Sequence, residues 1–249
     1  MVHQQSLGEN FMTLPDIIIR EVKSKDSALH NILLSLFAEI FPSYMRYLPH
    51  IRSSLEQGDT LNPRVLPHHW LVKLADNEGA FIGFELFNYL HRYNIGFGRY
   101  IGTRAEKRNE GVGMQLIRAS VKQIASDARR FGRPEPLGFC AEVESPRLAT
   151  TPEEREIRER RLRYFQESCG AVELNLDYLE PVMIRSFIEA TEWTQPPTSM
   201  HFIVFPCDPS RTSFTPEETK KMAEGVLLDH YGLPADNNLV QHVLESVKR

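Results

Sequence analysis

Arg108-Asn109-Glu110-Gly111-Val112-Gly113 separates a glycine-studded stretch, Asn94 to Thr103 (NIGFGRYIGT), from a long amphipathic run, Gly111 to Phe131. The first reads as a strand. The second reads as a helix, with Val112, Leu116, Ile117, Val121, Ile124, Ala128 and Phe131 on one face and Gly132 as its stop. Two glycines two residues apart at a helix start let backbone come close to a ligand. The N–H groups of a first helical turn have no partner inside the helix, so they can hold a phosphate or pyrophosphate. Gly96, Gly98 and Gly102 in the preceding strand point the same way, because glycine inside a strand marks a bulge or a close backbone approach.

Working outward, Asp16 to Lys23 reads as a first strand, and Asp26 as the cap of a helix reaching Ile40. Pro42 to His68 reads as a long irregular connection, with room for short helices, of the kind that covers binding sites. Trp70 to Ala75 and Ala80 to Leu90 are strands on either side of an Asp76–Gly79 turn. Beyond the central helix, Leu137 to Glu144 alternates, with Cys140, Glu142 and Glu144 on one face. Thr151-Pro152-Glu153-Glu154 opens a helix as a capping box, and the pairs Glu154–Arg158, Glu156–Arg160 and Glu159–Arg163 make it a solvated face. That helix ends near Gly170. Strands follow at Ala171 to Tyr178 and Met200 to Phe205, around an insertion at 181–198. A second box, Thr215 to Glu218, starts a helix toward Tyr231, and Asn238 to Lys248 forms the last helix. Three consecutive strands imply antiparallel meanders, and the strand–helix–strand unit after them implies one parallel crossover. The fold class is a mixed α/β sheet.

The bulk numbers agree. The 249 residues are 41% hydrophobic and 25% charged, as in an ordinary globular protein with a real core. A net charge of −4 argues against a nucleic-acid partner and leaves room for a cationic substrate. No apolar run reaches the ~20 residues that span a bilayer, and Met1 to Thr13 lacks the pattern of a signal peptide, so no membrane association and a cytoplasmic location are expected. Cys140, Cys169 and Cys207 form neither a disulfide framework nor a zinc spacing. His68-His69 point to opposite faces of a strand, so no metal is expected there.

Two common nucleotide sites fail on their own terms. A dinucleotide fingerprint needs a third glycine where Leu116 stands, and a P-loop needs a Gly-Lys-Ser/Thr that the chain lacks. The stretch instead resembles the [RQ]-x-x-G-x-[GA] signature of the GNAT acetyltransferase superfamily, here Arg108-x-x-Gly111-x-Gly113. The resemblance covers roughly residues 16–206 in element order. It implies a largely antiparallel central sheet with one parallel crossover, flanked by helices. It also implies acetyl-CoA as co-substrate, held by Ile101, Gly102, Thr103, Arg108, Asn109, Glu110, Gly111, Val112, Gly113 and Met114. Arg161 to Ala171 looks like the family's last helix. Counting back from Gly170, Phe165 matches, but Gln166 stands where the tyrosine that protonates the departing thiolate usually sits. Tyr164 is nearby, yet on a regular helix it projects about 200° away from Gln166.

The implied reaction is direct attack of an amine on the thioester, which needs a base, a polarised carbonyl and a neutralised thiolate. Glu142 and Glu144, two acids on one strand face, are the leading base candidates, with pairing to an arginine such as Arg147 as their ordinary alternative. Tyr164 and Tyr100 are acid candidates. Glu85 is a second base candidate that otherwise reads as a residue on the exposed face of the sheet. The acceptor is an unidentified small-molecule or peptide amine. Tyr44, Tyr47, Trp70 and Trp193 suggest a partly aromatic pocket for it. Residues 1–206 read as the acyl-CoA-binding domain, and 207–249 as a helical extension that packs on it or joins two copies as a homodimer. A non-catalytic acyl-CoA sensor or scaffold of the same fold is the alternative function.

Overall fold

The computed structural model describes residues 14–58, 62–76, 79–181 and 197–248. Its strands are β1 (Ile17–Glu21), β2 (Val65–Leu74), β3 (Gly83–Leu90), β4 (Ile95–Thr103), β5 (Gly138–Glu144), β6 (Val172–Glu173), β7 (Leu179–Glu180) and β8 (Thr198–Pro206). The helices are α1 (Ser27–Ile40), α2 (Leu48–Gln57), α3 (Val112–Arg130), α4 (Pro152–Arg163), α5 (Pro216–Glu224) and α6 (Asn238–Glu245). The strands form one mixed sheet ordered β1-β2-β3-β4-β5-β8-β6, with β7 also paired to β8. Every pairing is antiparallel except β4 with β5, the two strands joined through α3.

The sheet is covered on both faces, which explains the near-continuous burial of β3. On one face α3 sets Val112, Leu116, Ile117, Ile124 and Ala128 against Trp70, Phe87 and Phe139. On the other face α1 and α2 cover Leu71, Phe84 and Leu86 near β1. Farther along that face, Met222, Val226, Leu227, Val240 and Val243 from the C-terminal helices cover Phe97, Cys140, Phe202 and Val204. The polypeptide beyond Cys207 thus packs on the same sheet as everything before it. The two Thr-Pro-Glu-Glu helix starts differ in one detail. At α5 the box is complete, while at α4 Thr151 accepts from Glu154 N–H but the Glu154 carboxylate turns back to Thr150.

Several expectations are corrected. The short helices allowed after α1 fill most of that connection: a 3-10 turn (Pro42–Tyr47) runs into α2, whose Pro49 sits in the first turn, where proline starts a helix. β2 begins at Val65, before Trp70. The strand expected over Ala171 to Tyr178 is only Val172–Glu173, followed by a bend and the short β7. Within α4, the Glu154–Arg158 pair forms at 2.6 Å, whereas Glu156–Arg160 and Glu159–Arg163 do not form among the described residues. The insertion expected at 181–198 lies mostly outside the described residues, Trp193 included.

Glu85 is the largest correction. It is 1% exposed and faces α3, not solvent. Its Oε2 lacks a hydrogen-bond partner, and burial pushes its pKa up to about 8 against smaller opposing effects of the Ser120 hydroxyl and His68. Nearby, His68 Nε2 meets Asp127 Oδ2 at 2.9 Å on the α3 side, while His69 Nε2 meets Ser54 on the α2 side. The two histidines do face opposite ways. A carboxyl whose folded pKa exceeds its unfolded value binds its proton more tightly in the folded state. Its contribution is therefore lost as pH rises between about 4.5 and about 8. Glu85→Gln should remove this component: urea unfolding across that range should show a flatter decline than wild type and greater stability above pH 8.

Candidate functional site

β4 and β5 pair through Gly96–Phe139, Phe97–Cys140 and Gly98–Ala141, and among the described residues no farther, although β4 continues to Thr103 and β5 to Glu144. Past Gly98 the two strands part. The parting begins at a β-bulge: Phe87 of β3 faces Gly98 and Leu86 faces Tyr100, which leaves Arg99 as the extra residue. Beyond it, the edge of β4 toward β5 carries backbone donors and acceptors without a strand partner. Such an edge can bind an extended ligand rich in amide groups. The glycines expected to mark a ligand approach mark side-chain packing instead. A Cβ at Gly96 or Gly98 would meet the Phe139 ring, and one at Gly102 would meet Ile40 and Phe41.

At the open end of the fork lies the loop Arg104–Gly111. Arg108 Nε donates to Thr103 O (3.4 Å), and Lys107 pairs with Glu110 (3.4 Å). Asn109 (φ 66°) and Gly111 (φ 79°) take left-handed conformations that turn the chain into α3. The first helical bond is Gln115 N–H to Gly111 O. The N–H groups of Val112, Gly113 and Met114 thus lack a helical acceptor. This 19-residue helix has no side-chain cap and no acid in its first turn, unlike α4 and α5, which begin with a threonine cap and two glutamates. Its positive end is uncompensated by side chains.

The two loop glycines have different reasons. Gly111 needs its positive φ, and a Cβ there would run into Leu14. Gly113 has no such constraint, for the nearest heavy atom to a Cβ there is the Tyr164 hydroxyl, at 4.0 Å. Packing does not explain glycine at 113. Ile101 packs on the α3 side of the sheet, and Val112 is buried beneath the loop.

Tyr164 reaches this point because α4 runs on into a π-turn (Tyr164–Ser168), which changes the phase of the helix end. The Tyr164 hydroxyl lies beside the Met114 N–H, and burial raises its pKa to about 12. Gln166 points elsewhere, donating to Glu173 Oε2 at 3.0 Å.

The two β5 carboxylates have separate surroundings. Glu144 is an ion-paired clamp: Arg161 Nη1 donates at 2.8 Å and Tyr44 OH at 2.9 Å, with Arg158 Nε at 3.9 Å. The arginine comes from α4, not from position 147. Glu142 has no cation among its described partners. Tyr178 OH donates to its Oε1 at 2.5 Å and Tyr231 OH to its Oε2 at 2.8 Å. Burial first, then the nearby Glu180, raises its pKa to about 8, while the two phenols oppose the shift. Glu180 itself is raised to about 7 by burial and by Glu144. Tyr44, Tyr47 and Tyr100 gather beside these acids, with Tyr44–Tyr100 and Tyr47–Tyr100 centroids 6.3 and 6.4 Å apart. Trp70 does not join them; it lies on the α3 face. Tyr178, Glu180 and Tyr231 had no local signature, because they come to Glu142 from 36 to 89 residues away.

Among the described residues no group of His, Cys, Asp and Glu could hold a metal ion, no helix is long and apolar enough to cross a membrane, and the three cysteines are free.

No protein-family model and no curated protein matches the chain. Solved structures do. A putative acetyltransferase from the GNAT family of Bacteroides thetaiotaomicron superposes with a TM-score of 0.57 at 17% identity, over 87% of this chain and 99% of that one. An aminoglycoside 6'-N-acetyltransferase complexed with coenzyme A aligns with a TM-score of 0.49 at 16% identity, over 78% of this chain and 99% of its own. A spermidine N-acetyltransferase from Vibrio cholerae, in complex with CoA and spermine, aligns with a TM-score of 0.41 at 14% identity, over 79% and 99%. With the mixed sheet, its single parallel pair and the parting strands, the first of these shows that this chain has the fold of the GNAT acetyltransferases.

Proposed function

We propose that the protein transfers an acetyl group from acetyl-CoA to an amine, in the fork between β4 and β5. The observation that carries this reading is the uncapped start of α3 with an unconstrained Gly113, set at the mouth of two parted parallel strands. The residues present fit the donor. The N–H groups of Val112, Gly113 and Met114 and the cation of Arg108 suit a pyrophosphate, and the free edge of β4 at 101–103 suits the amides of a pantetheine arm. Tyr164, beside Met114 N–H, contacts the phosphate end of the donor in this reading.

Acetyl-CoA supplies an activated acyl carbon on a thiolate leaving group. The chain's residues do the remaining work. Glu142 takes the proton that the attacking nitrogen loses as the N–C bond forms and the C–S bond breaks, and a backbone N–H near the bulge polarises the carbonyl. Glu144, neutralised by Arg161, holds α4 and Tyr44 to β5. A cytoplasmic setting belongs to this reading as well. The sensor alternative draws on one observation, Gln166 held by Glu173, and an assay for CoA thiol release over a panel of amines decides between them.

Four outcomes are expected. CoA should raise the melting temperature of the wild type. Gly113→Leu should retain or exceed the wild-type melting temperature without ligand, since leucine is the better helix former by several tenths of a kcal/mol, and should lose the CoA shift. Binding unchanged by this substitution contradicts the placement of the donor. Glu142→Gln should lower kcat by about 10²- to 10⁴-fold with little change in KM for acetyl-CoA. Wild-type kcat should rise with pH toward a plateau above about 8, as Glu142 gives up its proton, and the variant should lack that limb.

A further inference from the structure

On the face of the sheet opposite α3, a pocket opens between α2, β2, β3, β4 and the turn after α5. Its charged group, among the described lining residues, is Arg99, the bulge residue of β4. The rest of the described lining includes His50, Ser54, Asn62, Asn88 and His230, with no carboxylate among the described residues. Burial lowers its pKa, and the phenols of Tyr100 and Tyr231 nearby oppose the shift. Among the described residues it forms no ion pair. The nearby imidazoles are no counterweight: burial first, then Arg99, pushes His50 and His69 down to about 3.

Arg99 is half-buried at this pocket, and a guanidinium partly withdrawn from water is ordinarily paired with an anion. Asn88 repeats the pattern. It is 3% exposed, its Nδ2 lies 2.9 Å from His230 Nδ1, and its Oδ1 has no partner. Turning that amide over would give Oδ1 to the imidazole and present its NH₂ group to the pocket. The space is about 30 Å³. One water needs roughly 10–15 Å³ by this measure, so there is room for the two oxygens of a carboxylate. The planar fork of arginine matches a carboxylate in just this way. Tyr231 joins the pocket to the proposed base: its ring lies 4.7 Å from that of His230, and its hydroxyl donates to Glu142.

We propose that the Arg99 pocket receives a carboxylate of the acceptor, so that the acetylated amine belongs to an amino acid or another short amino-carboxylate. Its amine stands at Glu142 and its acid group at Arg99. The assignment rests on the acetyl-transfer reading above and narrows it to a substrate class.

The test uses the full-length protein. Acetate should raise its melting temperature progressively, chloride at equal ionic strength should not, and inorganic phosphate should do so less than acetate. Without added anion, Arg99→Met should melt no lower than wild type, and acetate should no longer shift it. Arg99→Gln provides the same comparison if the methionine variant folds poorly. In the acetylation assay, amino acids should exceed the corresponding amines without the carboxyl group at least tenfold in kcat/KM, and the substitution should abolish that margin. Stabilisation by acetate that survives in Arg99→Met would overturn the proposal. So would equal use of amines with and without the carboxylate. A CoA shift in wild type without an acetate shift removes this inference alone, whereas absence of both removes the reading beneath it.

Discussion

The parting of β4 from β5 after Gly98 is the constraint on which the rest of the site depends. Parallel neighbours joined by a helix normally pair along their shared length. Here they pair over three residues, and then each finds other partners. β4 stays with β3 through the bulge at Arg99. β5 stays with β8 along its whole length. The junction is locked by the Phe139 ring lying across Gly96 and Gly98, a packing that only glycine permits. Because α3 must start where β4 has ended, the fork aims the helix's first-turn N–H groups at the mouth of the cleft it opens.

Within that frame, residues that look alike in sequence do different work. Gly111 satisfies backbone geometry and the packing of Leu14, whereas Gly113 satisfies neither and leaves its surface open. Glu144 is held by Arg161 and Tyr44, and Glu142 by two phenols in a buried setting. Burial raises Glu142 toward 8, which suits it to take a proton near neutral pH.

The local features were legible in the sequence because their causes are local. Glycines, caps and the 3.6-residue period place α3, both Thr-Pro-Glu-Glu helix starts and the strand–helix–strand crossover within a residue or two. What depends on distant partners was not legible. The prolines of Pro42 to Pro49 suggested a broken connection, yet they start two helical segments. Glu85 and Trp70 sit on strands buried on both faces, where alternation no longer tells solvent from core, and both turn toward α3. The π-turn that aims Tyr164 at the start of α3 leaves no periodic trace. The Tyr178–Glu142–Tyr231 contact and the pocket around Arg99 exist only because β7, β8 and the C-terminal helices close over β5, a tertiary event without a motif.

The central claim is that the β4–β5 fork and the start of α3 hold the donor together. Amide hydrogen exchange on the full-length protein, with and without CoA, tests it directly. The account predicts that CoA slows exchange at residues 101–103 of β4 and at 112–114 of α3, with little change at β1 or the far end of α3. Protection confined to other segments, or none at saturating CoA, would contradict it.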